Sequence, residues 1–290
     1  MERNRASTKP RLRGPLGGLT ELLHRATYRK DGLSGDGACA RIDRPGAQPT
    51  VLALHGYCGV PAEIALACDA ADDVGLASTA PLLAGHGRTA RELAPLRFAD
   101  WVRGAEEELL RASESGPVLL AGLSLGSLVA LELALRHPSR VRGLALLANA
   151  LWLTRPFPAL ALRAVGALGL PDFAFPKFGS DISDPEARRT HVSYLAQPVR
   201  GAIDLQRAAD RIYAELGRIQ CPTLVLHGAR DRVCPVENAW KAAERLGSPD
   251  VEVRVFPRSH HILTRDVEKT VVRQALAQFF RRVSATSEAD

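Results

Sequence analysis

Cysteine is sparse in this chain, and none of it stands in an arrangement that binds metal or cross-links. Cys39, Cys58, Cys68, Cys221 and Cys234 are odd in number and scattered, with no C-x-x-C pair and no cysteine and histidine at metal-ligand spacing. That excludes a disulfide framework and a cysteine-based zinc site, and the thiols read as reduced in a cytoplasmic protein. Long apolar runs are also missing. No stretch approaches the ~20 residues of a membrane span, and the basic start has no apolar core or small-residue cleavage site, so neither insertion nor secretion is expected. No internal repeat is apparent.

Negative charge is under-represented only at the start. Residues 1–31 hold eight Lys/Arg against three Asp/Glu, which accounts for +5 of the net +6. The remainder is nearly neutral, so the basic balance does not imply a nucleic-acid partner. Arg3, Arg5, Lys9, Arg11 and Arg13 read as a solvated leader in weak contact, at most, with an anionic membrane surface. With 290 residues, 46% of them hydrophobic, the chain can bury one large core. The expected organisation is a leader with a short helix at 1–30 and one domain at 31–290.

The order of apolar patterns indicates the fold class. Strands are expected at 38–42, 50–54, 77–80, 117–121, 141–148, 223–226 and 251–256. Helices are expected at 16–27, 61–73, 100–113, 128–136, 237–246 and 266–282. Val141 to Ala148 is apolar throughout, as in a central strand covered on both faces. Alternating strands and helices mean an α/β fold with a mostly parallel, doubly wound sheet. The alternation breaks at about 151–205, where no strand is legible and six prolines stand. This reads as an inserted cap. Trp152, Phe157, Phe173, Phe175, Phe178 and Tyr194 fall there, six of only fifteen aromatics, and caps over strand ends border ligand pockets.

The chemistry centres on Gly122-Leu123-Ser124-Leu125-Gly126, a G-x-S-x-G between an apolar strand and a helical pattern. The tight turn that lifts a serine off a strand end leaves no room for side chains two residues away on either side. A serine hydroxyl needs an imidazole to take its proton and a carboxylate to orient the imidazole. In the expected order, Asp231 follows the strand at 223–226, with Glu237 as a weaker rival. The strand at 251–256 leads to the adjacent His260 and His261, of which one can be the base. Two backbone N–H donors must hold the oxyanion: that of Leu125, after the nucleophile, and that of Tyr57, in the loop His55-Gly56-Tyr57.

These pieces, together with Gly85-His86-Gly87, Asp100-Trp101, Gly179-Ser180-Asp181-Ile182, Asp184-Pro185 and Ser259-His260-His261-Ile262, resemble the bacterial carboxylesterase and monoacylglycerol lipase family of the α/β-hydrolase fold. The family pattern places a glycine before its catalytic histidine, which points to His261 as the base with His260 in the glycine position. Ser127, where a further glycine is frequent, is a second departure. The resemblance implies a small lid over an acyl pocket, no cofactor, and short- to medium-chain esters or monoacylglycerols as substrate. Tyr57, Trp152, Phe157, Phe178 and Ile182 are the expected pocket residues. The same triad also suits a thioesterase, acyltransferase, peptidase or C–C hydrolase. A non-catalytic ligand-binding protein is disfavoured, because all three triad candidates are present.

Overall fold

The computed structural model describes residues 31–34, 39–153, 174–177 and 179–285. The leader, the helix expected at 16–27 and most of the first half of the cap lie outside them. The central sheet contains β2 (Ile42–Arg44), β3 (Ala47–Leu54), β4 (Leu76–Ala80), β5 (Val118–Leu123), β6 (Val141–Leu147), β10 (Thr223–Gly228) and β11 (Val251–Phe256). Their spatial order is β11-β10-β6-β5-β3-β4-β2. Every pairing is parallel except that of β2 with β4.

This order positions the site. The chain leaves β3 for β4 on one side and then crosses to β5 on the other. Leu54, the last residue of β3, pairs with Gly122 in β5. The loops after β3 and β5 therefore open side by side at the switch point, where open α/β sheets bind ligands.

Alternate residues of the central strands feed two apolar layers. Leu52, Leu54, Leu120, Leu144, Leu146 and Val225 face one layer. Val51, Ala53, Leu119, Ala121, Leu147 and Leu224 face the other. The second layer is closed by α1 (Ala65–Asp72) and α8 (Lys269–Ala285), and the first by α2 (Ala90–Leu93), α3 (Phe98–Ala112), α4 (Leu125–Arg136), α6 (Val199–Glu215) and α7 (Glu237–Arg245). Helix α3 buries Trp101, Val102, Ala105 and Leu109 along one stripe. Helix α4 has no solvent stripe: every residue from Leu125 to Leu135 is buried, since α3, α6 and the sheet surround it. Its one embedded carboxylate, Glu132, meets Arg136 at 2.7 Å and Arg211 of α6 at 2.8 Å, which satisfies a charge that could not otherwise be buried.

Three features differ from the sequence expectation. The first edge strand begins at Ile42, because antiparallel pairing with Ser78–Ala80, and not local alternation, sets its register. The cap region contains short strands: β7 (Ala174–Pro176) pairs with β9 (Ala196–Pro198), and β8 (Ser193–Tyr194) with β1 (Leu33–Ser34). Two or three residues are too few to show period-two patterning. Helix α6 starts right after Pro198 and buries Val199, Ile203, Leu205, Ala208, Ala209 and Ile212, a stripe interrupted by too many polar residues to stand out. Between β7 and β8 lies α5 (Pro185–Thr190), capped by the Asp184 carboxylate on the N–H groups of Glu186 and Ala187.

Candidate active site

The turn at Ser124 is enforced by backbone contact. A Cβ on Gly122 would lie 2.3 Å from Gly126 C, and one on Gly126 would lie 2.0 Å from Leu54 O. Neither position tolerates a side chain, because backbone cannot yield as a flexible side chain does. Ser124 takes φ 55° and ψ −111°, a left-handed conformation that costs a non-glycine residue about 1–3 kcal/mol. Its N–H is held by Leu147 O at 2.9 Å. Ser127, the departure from glycine, donates its hydroxyl to Ser124 O at 2.6 Å, adding a clamp inside the turn. Leu125 opens α4, where N–H groups have no carbonyl earlier in the helix to receive them.

The loop after β3 is held by two buried imidazoles. His55 donates from Nδ1 to Gly56 O at 2.9 Å and accepts from Leu83 N–H at Nε2, at 3.0 Å. His86 donates from Nδ1 to Ala84 O at 3.1 Å and accepts from Cys58 N–H at 3.3 Å. These bonds require one neutral tautomer of each ring. Burial lowers the pKa of both, that of His86 to about 3, so the loop keeps its shape across the neutral range. The Tyr57 hydroxyl donates to Pro198 O, just before α6, at 2.9 Å, and its ring lies 5.2 Å from that of Trp101.

Asp231 and His261 come together at the ends of β10 and β11. His261 Nδ1 is 2.8 Å from Asp231 Oδ2. His260 turns away, its Nδ1 3.6 Å from Asp266. The other oxygen of Asp231 accepts the N–H groups of Val233 and Cys234, both at 2.8 Å. Burial favours the neutral carboxylic acid, but the charge of His261 and bonds to both His227 and His261 hold the Asp231 pKa below the usual range. Burial would likewise lower the His261 pKa, yet the charge of Asp231 and the bond to it prevail, and the net shift is upward.

Several residues at this site have no role assigned by the sequence patterns. His227, at the end of β10, places Nε2 3.1 Å from Asp231 Oδ2, so two imidazoles share one carboxylate oxygen. The Asp181 carboxylate, at the base of the cap, accepts the N–H groups of Arg232 at 2.9 Å and of His261 at 3.2 Å. Asp266 accepts four backbone N–H groups, those of Ser183, Asp184, His260 and Val267. Cys234 is fully buried, and its sulfur lies within 4.8 Å of donor atoms of Asp231 and His261. The trio has metal-ligand chemistry, but burial and the Asp231 charge hold the thiol well above its ordinary pKa. A histidine four positions before an aspartate at a strand end was the only local signal for His227.

The expected pocket residues divide. Ile182 is fully buried in the apolar layer that also holds Ile262 and Leu263, so it offers no surface to a substrate. Trp152 stacks edge-on against Tyr213 at 4.7 Å, with Lys241 Nζ 4.4 Å from its ring centroid. Phe157 and Phe178 lie outside the described residues.

A family model described as serine aminopeptidase, S33, matches residues 45–268, which span the loop after β3, the turn at Ser124, Asp231 and His261. The chain belongs to this serine hydrolase family. It is 28% identical over 233 residues to the thermostable monoacylglycerol lipase of Bacillus sp. (strain H-257), covering 80% of this chain and 90% of that one. It is 32% identical over 258 residues to a pimeloyl-[acyl-carrier protein] methyl ester esterase of Chromobacterium violaceum, covering 82% and 96%. Among solved structures, one from work on the metagenome-derived lipolytic enzymes LipS and LipT superposes with TM-score 0.77 at 24% identity, covering 84% of this chain and 98% of that one. The Paleococcus ferrophilus monoacylglycerol lipase gives 0.74 at 17% identity, with the same coverage. The fold of this serine hydrolase is accordingly the α/β-hydrolase fold. Among the described residues no helix is long and apolar enough to cross a membrane.

Proposed function

We propose that this serine hydrolase cleaves carboxylic esters through an acyl-enzyme, with short- to medium-chain esters or monoacylglycerols as substrates. The observation that carries the reading is the 2.8 Å contact between His261 and Asp231, taken together with a serine held in a strained turn. In this reading Ser124 Oγ attacks the acyl carbonyl while His261 Nε2 takes its proton. Asp231 fixes the tautomer, because Nδ1–H is committed to its carboxylate. The N–H groups of Tyr57 and Leu125 receive the oxyanion, and each is worth roughly 100- to 1000-fold in rate. The imidazolium then protonates the departing alcohol. Water, deprotonated by the same imidazole, attacks the acyl-enzyme and releases the acid and free Ser124.

The ester class draws on the named activities of relatives, which include monoacylglycerol lipase, carboxylesterase and methyl ester esterase. The family description supplies a second reading, hydrolysis of an N-terminal peptide bond. The test is nitrophenol release from short acyl esters beside an aminoacyl-anilide panel. Ester turnover is expected to dominate and to fall on the order of 10⁴-fold or more in Ser124→Ala. Equal rates for wild type and variant would overturn the assignment, and preferential anilide cleavage would favour the peptidase reading.

A further inference from the structure

A buried carboxylate behind the loop after β3 takes no part in the proposed reaction. Glu63 stands in the short turn Pro61–Glu63 with its side chain 5% exposed. Its Oε2 occupies the space that a Gly59 side chain would need: a Cβ there would be 1.9 Å away. A Cβ on Gly56 would be 3.3 Å from the same oxygen and 3.6 Å from Ser124 Cβ. The carboxylate and the nucleophile's turn are thus separated by the thickness of one glycine. A negative charge so placed opposes the oxyanion of the acyl-transfer transition state unless something neutralises it.

The cap base supplies the neutralising groups. His191 Nε2 lies 2.9 Å from Glu63 Oε1. Ser180 Oγ meets His191 Nδ1 at 2.5 Å. A hydroxyl both donates and accepts, so this contact suits either protonation state of the ring. Lys177, anchored to Ser193 Oγ at 2.5 Å, adds a second positive field, and His55 faces the carboxylate from β3's end. Burial raises the Glu63 pKa, but the bond to His191 and the charges of His191 and Lys177 bring it down to about 2. The group is therefore ionised at every working pH.

We propose that Glu63 is a positioning residue whose carboxylate, matched by His191 of the cap base, ties the cap to the oxyanion loop, and that without His191 it opposes the reaction. This rests on the ester-hydrolase reading. The charged groups facing His261 are Asp231, Asp181 and Glu63, with His227 acting through Asp231. All three carboxylates raise the basicity of His261.

The test compares His191→Phe, Glu63→Gln and the double variant, each titrated with a fluorophosphonate and followed for kcat, KM and kcat/KM against pH on a nitrophenyl ester. His191→Phe should lose about 10- to 100-fold in kcat with little change in KM, and its acid limb should move to higher pH. Glu63→Gln should lose less and move the limb to lower pH, because a charge that raises the His261 pKa is gone. The double variant should regain most of the kcat lost by His191→Phe. A solely structural pair would lower thermal stability in all three and leave the limb in place. Labelled proteins whose limbs coincide, or a double variant no faster than His191→Phe, would overturn the inference alone. Failure of wild type to label at Ser124 would overturn the catalytic reading and this inference with it. If His191→Phe does not fold, His191→Gln, which keeps a donor to Glu63, should show the same limb shift to a smaller degree; an unmoved limb there would also overturn the inference.

Discussion

The turn at Ser124 and the base of the cap border the same site but are held by opposite means. The turn is set by backbone against backbone: Gly122 meets Gly126, and Gly126 meets Leu54 O. The cap base is set by side chains reaching across the fold, with Asp181 on the N–H of His261, His191 on Glu63 and Asp266 on the N–H groups of Ser183 and Asp184. The first arrangement is rigid and has no tolerance for added atoms. The second can be re-formed by other polar groups of similar reach, so the segment there can vary without disturbing the turn at Ser124.

Substitutions should divide along that line. Gly126→Ala is expected to have the largest effect: its Cβ would enter the Leu54 carbonyl. It should cost about 3 kcal/mol in urea unfolding and at least ~100-fold in turnover; an unchanged unfolding midpoint would mean that the turn is looser than its contacts indicate. Asp181→Ala comes next. Two backbone N–H groups lose their acceptor, for an expected cost of about 2 kcal/mol and roughly a tenfold fall in kcat. If only stability moves, the cap base does not orient His261.

The pH profile separates the two regions without mutation. Because the His261 pKa is raised and the base must be neutral, kcat/KM should fall with decreasing pH through a limb above the ordinary histidine value of about 6.5. His55 and His86, whose pKa values are lowered by burial, should contribute no titration there; a limb below that value would show that Asp231 does not dominate. The smallest effect is expected from Tyr57→Phe. It removes the hydroxyl bond to Pro198 O, worth about 1 kcal/mol, while the backbone N–H that the proposed oxyanion hole uses remains. Turnover should change by less than about threefold, and a 100-fold loss would reassign the hydroxyl to the reaction.

Legibility in the sequence follows the same division. The turn, the strands before Asp231 and His261, and the parallel sheet follow from short-range patterns, since a tight turn and a buried strand each constrain a handful of consecutive residues. The sequence could not choose between His260 and His261 without a family pattern, whereas in the structure Asp231 lies against only one of them. Asp181 reaches His261 across 80 positions, and Thr264 donates to Glu63 O across 201. No local pattern carries such pairings. Helix α6 and the two small strand pairs were missed because their registers depend on partners elsewhere in the chain.

The carboxylate of Asp266 grips peptide groups, not side chains. The N–H groups of Ser183 and Asp184 it holds would be there whatever residues other than proline stood at those positions. At this one contact the seam is therefore indifferent to which side chains stand at 183 and 184. A segment from a relative that keeps an aspartate at 181 ahead of this pair of amides should dock in the same place, which makes the seam a natural junction for exchanging segments between otherwise divergent enzymes.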